Sequence, residues 1–300
     1  MASTATANGV LTHGPASSSG TTERARARQR ARDWAEIQER MLVPLYQAVY
    51  DRLEVGPATS VLGLGCRSGL ALLLAMGRGA EVVGLEPEAE LRSLAQDRSL
   101  RVLGDIYREL GPGGSAGAQP AAHSLVTAFE HLTCTADPQA LVRDAAGLTV
   151  PGGHVALATW GPPERCESAT VLQVARRLAD PLRRAPYAPF ALSAPGAVER
   201  MVARAGLRLG GGGLALCPFA YPDLDTAVRG LLSTGVFDAA AEYSGARQVE
   251  KEVTEALHPY LRRDGSVRMR NVFRYTLAER PHGTHRPQNP HGRRGVPGTA

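Results

Sequence analysis

The stretch Ser60-Val-Leu-Gly-Leu-Gly-Cys-Arg-Ser-Gly69, followed at once by Leu70-Ala-Leu-Leu-Leu-Ala-Met76, leaves this chain few folds to adopt. Val61 and Leu62 read as the end of a buried strand, and the glycines as a tight turn that brings backbone close to a ligand. Leu70 onward reads as a helix whose first amides face that ligand. Such a strand, glycine-rich loop and helix suits a nucleotide-like cofactor, although glycines also serve ordinary turns, so the loop gains meaning only together with the next strands.

Those strands continue the pattern. Glu81-Val-Val-Gly-Leu85 is a second apolar run ending in Glu86-Pro87. An acid at the end of the second strand, about 20 residues beyond the glycine loop, is where a ribose diol is held, because a carboxylate accepts from both hydroxyls. Leu103-Gly104-Asp105 closes a third short run, Ser124 to Phe129 reads as a fourth strand, and Val150-Pro-Gly-Gly153 turns a helix over Pro138 to Leu148 into a fifth, His154 to Thr159. The reading is an α/β chain.

These residues resemble the class I S-adenosylmethionine-dependent methyltransferases, in particular the small-molecule branch related to the ubiquinone and menaquinone methyltransferases. The resemblance covers residues 34 to 279 and is strongest between Ser60 and Trp160. It implies a Rossmann-like, seven-stranded, mostly parallel sheet with a helical cap, its last strand inserted antiparallel between the fifth and sixth. S-adenosyl-L-methionine is the implied cofactor, its methionine end carried by Gly63, Gly65, Cys66, Arg67, Ser68 and Gly69. Glu86 with Pro87 takes the ribose, Asp105 with Ile106 the adenine amino group, and Phe129 completes the cofactor set. The implied reaction is methyl transfer to a small molecule, a natural-product intermediate. The chain departs from the family twice, with Gly63 where an acid is usual and Arg67 where a glycine is usual. The alternatives are a non-methylating or non-catalytic descendant that keeps the cofactor structurally, and a nicotinamide (NAD)-dependent oxidoreductase.

Composition bears on partners and compartment. A hydrophobic content of 43% over 300 residues suffices for one large core. The formal charge of +5 sits mainly in Arg24 to Arg32 and in the terminal tail, without aromatic residues interleaved for stacking on bases, so nucleic acid is not an expected partner. Cys66, Cys134, Cys166 and Cys217 lack both the spacing of a zinc site and the density of a disulfide scaffold, and read as buried thiols. No bound metal is expected. No apolar run approaches the ~18 residues that span a bilayer, and residues 1 to 20 lack a signal-peptide core. A cytoplasmic enzyme is the expectation, with a homodimer left open.

Along the chain, residues 1–22 and 281–300 read as disordered ends, 23–55 as cap helices, and 56–280 as the methyltransferase domain with a helical insertion around 221–262. Trp34, Ile37, Met41, Leu45, Val49 and Leu53 recur at spacings of three or four and mark one buried face, with Pro44 kinking that helix or starting another. Trp34, Tyr46, Tyr50 and, after strand five, Trp160 are candidates to line a substrate cavity; packing is the alternative for each. Glu130 and His131, just beyond strand four, face the site where ligands of open sheets bind and are candidates for a general base; the alternative is that Glu130 only binds the cofactor and His131 is solvated. Toward the end, Ser193 to Ala205 reads as a helix, Leu214 to Phe219 as a strand, and Ser266 to Thr276 as a final half-exposed strand. Arg67 can turn outward, fold toward the cofactor's carboxylate, or fill the pocket; the expected orientation is outward or toward the carboxylate, so that its loss leaves cofactor affinity similar or modestly weaker.

Overall fold

A computed structural model of the protein describes residues 18–104, 122–133, 135–182 and 189–282. At its centre is a seven-stranded sheet. In chain order its strands are β1 (Ser60–Leu64), β2 (Glu81–Leu85), β3 (Val102–Leu103), β4 (His123–Ala128), β5 (Thr149–Trp160), β6 (Arg208–Leu216) and, after a short pair β7 (Phe219–Tyr221) and β8 (Val267–Met269), β9 (Val272–Glu279). The spatial order is β3-β2-β1-β4-β5-β9-β6. The first five strands run parallel, whereas β9 is antiparallel to both β5 and β6. This is the arrangement the resemblance implies.

Period-two alternation sorts the buried strands into two cores. Val61, Leu125 and Ala156 face one layer, and their neighbours Leu62, Val126 and Val155 face the other. The second layer is closed by helices at Pro138–Gly147 and Ala197–Arg204. The first is closed by both ends of the chain: α1 (Ser18–Asp33) and α2 (Val43–Arg52), with Pro44 in its first turn, from one side, and helices Leu224–Leu232 and Ala246–Leu257 from the other. Because β2 and β4 lie on opposite sides of β1, the crossovers diverge there and leave a crevice at the strands' carboxyl ends.

Between α1 and α2 the helical pitch changes twice, with a π turn at Trp34–Gln38 and a 3-10 turn at Glu39–Leu42. This rotates Gln38 and Glu39 onto the buried side. The two ends of the chain are tied together there. Tyr221 donates to Gln38 Oε1 at 2.7 Å, Arg229 pairs with Asp33 at 2.5 Å, and Arg30 pairs with Asp238 at 2.7 Å and Glu88 at 3.2 Å. Arg28 meets Glu90 at 3.3 Å, so part of the arginine run is spent within the molecule.

Several elements differ from their sequence reading. The first helix begins at Ser18, inside the segment read as a disordered end; residues 1–17 and 283–300 lie outside the described residues. The final strand is split at Arg270-Asn271, because Asn271 is buried and its Oδ1 accepts from the Ser168 amide and hydroxyl at 3.1 and 2.7 Å. Beyond that break β9 is mostly buried rather than half-exposed. β6 runs through Gly210 to Gly213, where side chains on Gly212 and Gly213 would collide with Tyr275, so the glycines permit close pairing with β9. Among the cysteines, Cys66, Cys166 and Cys217 are free and buried; Cys134 lies outside the described residues.

Candidate functional site

The glycine loop turns sharply at the end of β1, with Gly65 at φ +62°, Arg67 at +52° and Gly69 at +87°. Gly65 has no room for a side chain because His131 lies against it. Gly63 is also crowded: an added Cβ would stand 3.2 Å from Cys66 Cβ and Leu72 Cδ2, so the acid usual in the family has no place here without repacking. Cys66 is buried beneath the loop, and burial pushes its thiol well up, with Glu86 adding to the effect.

Glu86 stands at the end of β2 as expected and is 2% exposed. Its carboxylate accepts from the Arg67 amide at 2.8 Å and from the Glu88 amide at 2.9 Å. Burial raises its carboxyl, and the nearby Arg67 opposes the rise. Beside it, Leu64, Gly65, Leu85, Pro87, Gly104 and His131 line a cleft of about 380 Å³. Asp105 and Ile106, the acid and its neighbour after β3, lie outside the described residues.

On the other side of the loop is an aromatic cavity of about 50 Å³, whose walls include Trp34, Arg67, Phe129, Glu130, Thr159 and Trp160. That volume holds a few waters. Trp160 stacks with Phe273 at 4.4 Å and Phe190 at 5.5 Å. Tyr46 is fully buried, packs on Phe129 at 5.1 Å and donates its hydroxyl to Glu130 Oε1. Burial pushes the Glu130 carboxyl up to about 7, against the Tyr46 hydrogen bond that favours its ionised form. Tyr50 instead donates to the Ala71 carbonyl at 2.9 Å and is a packing residue.

The structure therefore separates two neighbours in sequence. Glu130 lines the aromatic cavity, while His131 opens a 3-10 turn and lines the cleft over Gly65; its imidazole is lowered by burial and by Arg67, which favours the neutral ring. Arg67 folds inward, correcting the outward alternative. Its guanidinium lies 5.1 Å from the centre of the Trp34 ring and 3.7 Å from Glu88, with 13% of the side chain exposed.

One residue escaped the sequence reading. Glu39 is 1% exposed and clasps the loop, accepting from the Ser68 hydroxyl at 2.5 Å, the Leu70 amide at 3.2 Å and Arg98 at 3.3 Å. Burial raises its carboxyl despite these donors. The available signal was an acid amid Ile37, Met41 and Leu42 with no cation three or four residues away. Among the described residues, no group of three or more His, Cys, Asp or Glu is placed to hold a metal ion, and no helix is long and apolar enough to cross a membrane.

No family model matches the chain. Its curated relatives include the ubiquinone biosynthesis O-methyltransferases of Xanthomonas campestris pv. campestris, 37% identical over 105 residues (34% of this chain, 44% of that protein), and Leptothrix cholodnii, 33% identical over 102 residues (33% and 43%). The chain thus spans less than half the length of these relatives. Among solved structures, a Haloferax volcanii complex of a methyltransferase with its Trm112 activator aligns at TM-score 0.52 and 16% identity, over 87% of this chain and 97% of that one. A Bacillus halodurans methyltransferase aligns at 0.50 and 13%, over 79% and 99%. The protein accordingly has the class I methyltransferase fold and, over about a third of its length, is a sequence relative of the ubiquinone biosynthesis O-methyltransferases.

Proposed function

We propose that the protein transfers a methyl group from S-adenosyl-L-methionine to a small molecule held in the aromatic cavity. The observation that carries this is Glu130: a carboxyl raised to about 7, in an aromatic chamber beside the glycine loop and at the crevice where the sheet's crossovers diverge. The cofactor fits the residues present. Glu86 offers the ribose two acceptor oxygens if it releases the amides of Arg67 and Glu88, Pro87 and Gly104 line the cleft for the adenosine, and Arg67 is a cation for the methionine carboxylate.

When bound, the cofactor supplies an electrophilic methyl group on its sulfonium. Glu130, ionised, takes the proton from an acceptor hydroxyl, and Tyr46 holds the carboxylate in place. Trp34, Phe129 and Trp160 exclude water and hold a planar acceptor, for which the cavity of about 50 Å³ must first widen as Arg67 leaves the Trp34 ring for the cofactor's carboxylate. Transfer would form the acceptor's O–C bond and break the methyl–sulfur bond of the bound cofactor, with S-adenosylhomocysteine as the leaving group. The relatives' names favour an oxygen acceptor from quinone biosynthesis; a secondary-metabolite acceptor suits the same chamber.

A second reading has its own support. His131 on Gly65, Arg67 on Trp34 and Glu86 on the loop amides together occupy groups that the cofactor would use, as suits a descendant that no longer methylates. Calorimetric titration with S-adenosylmethionine, followed by measurement of S-adenosylhomocysteine formed with a panel of phenols, separates the two. Binding with turnover supports the transferase, binding without turnover the descendant, and no binding removes the cofactor from both.

A further inference from the structure

Among the described residues, two buried polar atoms of residues that line the aromatic cavity have no hydrogen-bond partner, Trp34 Nε1 and Thr159 Oγ1. Their residues are 4% and 2% exposed, so bulk solvent does not reach them. An orphan buried donor is rare in a folded protein and calls for a reason. The rest of the wall is largely apolar, including Leu42, Leu45, Leu172 and Phe273. An indole N–H can only donate, whereas a threonine hydroxyl donates or accepts. Arg67 lies over the Trp34 ring, which leaves the indole edge for another partner.

We infer that Trp34 Nε1–H and the Thr159 hydroxyl are the specificity contacts of the acceptor site, and that they select a planar, mostly apolar ring system carrying an oxygen besides the one methylated. Trp34 donates to a carbonyl, ether or phenol oxygen, and Thr159 supplies a further polar contact from the end of β5. Glu130 is left for the hydroxyl that receives the methyl group. A bare hydrocarbon leaves both atoms orphaned and an oxygenated ring does not, so the site discriminates by the unpaired-group penalty rather than by shape. This acceptor class rests on the proposed methyl transfer, but its test does not use the cofactor.

The chain has two tryptophans, so its indole N–H signals are two and readily assigned by Trp34→Phe. Tryptophan-labelled protein is titrated, by nuclear magnetic resonance, with naphthalene, 1-naphthol and the 1,3-, 1,5-, 2,3- and 2,7-dihydroxynaphthalenes. The Trp34 signal is expected to move downfield with at least one dihydroxy isomer and not with naphthalene. Thr159→Val should weaken that isomer about tenfold, the loss of one hydrogen bond, while naphthalene affinity stays within about twofold. Thr159→Ser should retain the preference. Melting of Thr159→Val should match or exceed the wild type, since an unpartnered hydroxyl is replaced by a methyl. The inference is overturned if no probe binds, if the Trp34 signal is unmoved by every oxygenated probe, or if Thr159→Val leaves the preference intact. If the probes bind as expected while the separate calorimetric titration shows no S-adenosylmethionine binding, the methyl transfer falls and the oxygen-reading site stands.

Discussion

Arg67→Gly tests the cofactor reading most directly, because the structure gives opposing contributions of known size. Arg67 holds a left-handed backbone, φ +52°, which costs a residue other than glycine about 1–2 kcal/mol. Glycine removes that strain but adds freedom to the unfolded chain, a cost of about 0.5–1 kcal/mol. The guanidinium's place over Trp34 contributes about 0.5–2 kcal/mol, and the long, partly buried pair with Glu88 at most about 1 kcal/mol. The sum is a net loss of about 1 kcal/mol, and the Arg67 amide that serves Glu86 survives in glycine. Melting should therefore shift by only about 5 °C or less. Cofactor affinity behaves differently. A charge-assisted bond to the methionine carboxylate is worth about 1.5–3 kcal/mol, from which the contacts to Trp34 and Glu88 must be given up, leaving about 1 kcal/mol, or a five- to tenfold loss on substitution. Calorimetry of both proteins with S-adenosylmethionine and S-adenosylhomocysteine reads this out. Tighter binding by Arg67→Gly, or binding by the variant alone, would show that the arginine plugs the site, and the carboxylate argument would fail.

Other substitutions probe the remaining acids. Glu130→Gln should abolish most turnover, and the wild-type rate should fall as pH drops through about 7, the range in which Glu130 takes up its proton. Because folding raises this carboxyl above its unfolded value of about 4.5, the neutral form is the stable one and the ionised form costs stability from pH 4.5 to 7. Glu130→Gln should thus be more stable than wild type by about 3 kcal/mol at pH 8 and equal to it near pH 4, by denaturant titration. Glu39→Ala leaves Arg98, Ser68 and the Leu70 amide without their acceptor, and should cost about 3–5 kcal/mol with faster proteolysis in the first two helices; unchanged melting would reject its role as a clasp. Glu86→Ala should lower both stability, by about 2–4 kcal/mol, and cofactor affinity, by about 1.5–3 kcal/mol. Intact affinity in the folded variant would remove Glu86 from the ribose site.

What the sequence disclosed and what it hid divide along the range of the interactions involved. The glycine loop, the strands around it and the station of Glu86 are local patterns, readable from spacing and alternation. The place of β9 between β5 and β6 came from family likeness, since alternation says nothing about which neighbours a strand finds. Hidden were the features made by contacts far apart in the chain. Tyr46 meets Glu130 across 84 residues, and nothing beside either residue announces it. Glu39 turns inward only because a π turn and a 3-10 turn reset the helix phase, which a uniform helical period cannot show. The strand read at Leu214 to Phe219 in fact begins at Arg208, because the neighbour that requires the glycines before it, Tyr275, is distant in sequence.

The joining of the two chain ends over the sheet sets a timetable for synthesis. Asp33 and Gln38 wait for Arg229 and Tyr221, which lie 196 and 183 residues further on. At about 5–20 residues per second, that gap is roughly 10–40 s of translation. Over that interval the first helices have emerged, and the aromatic chamber has no roof. Phe219 and Phe273, which complete its walls, arrive later still or in the same interval. Trp34, Leu42 and Leu45 are consequently exposed apolar surface on the nascent chain, a place for a chaperone to bind, and their burial marks the moment at which the chamber becomes a closed vessel.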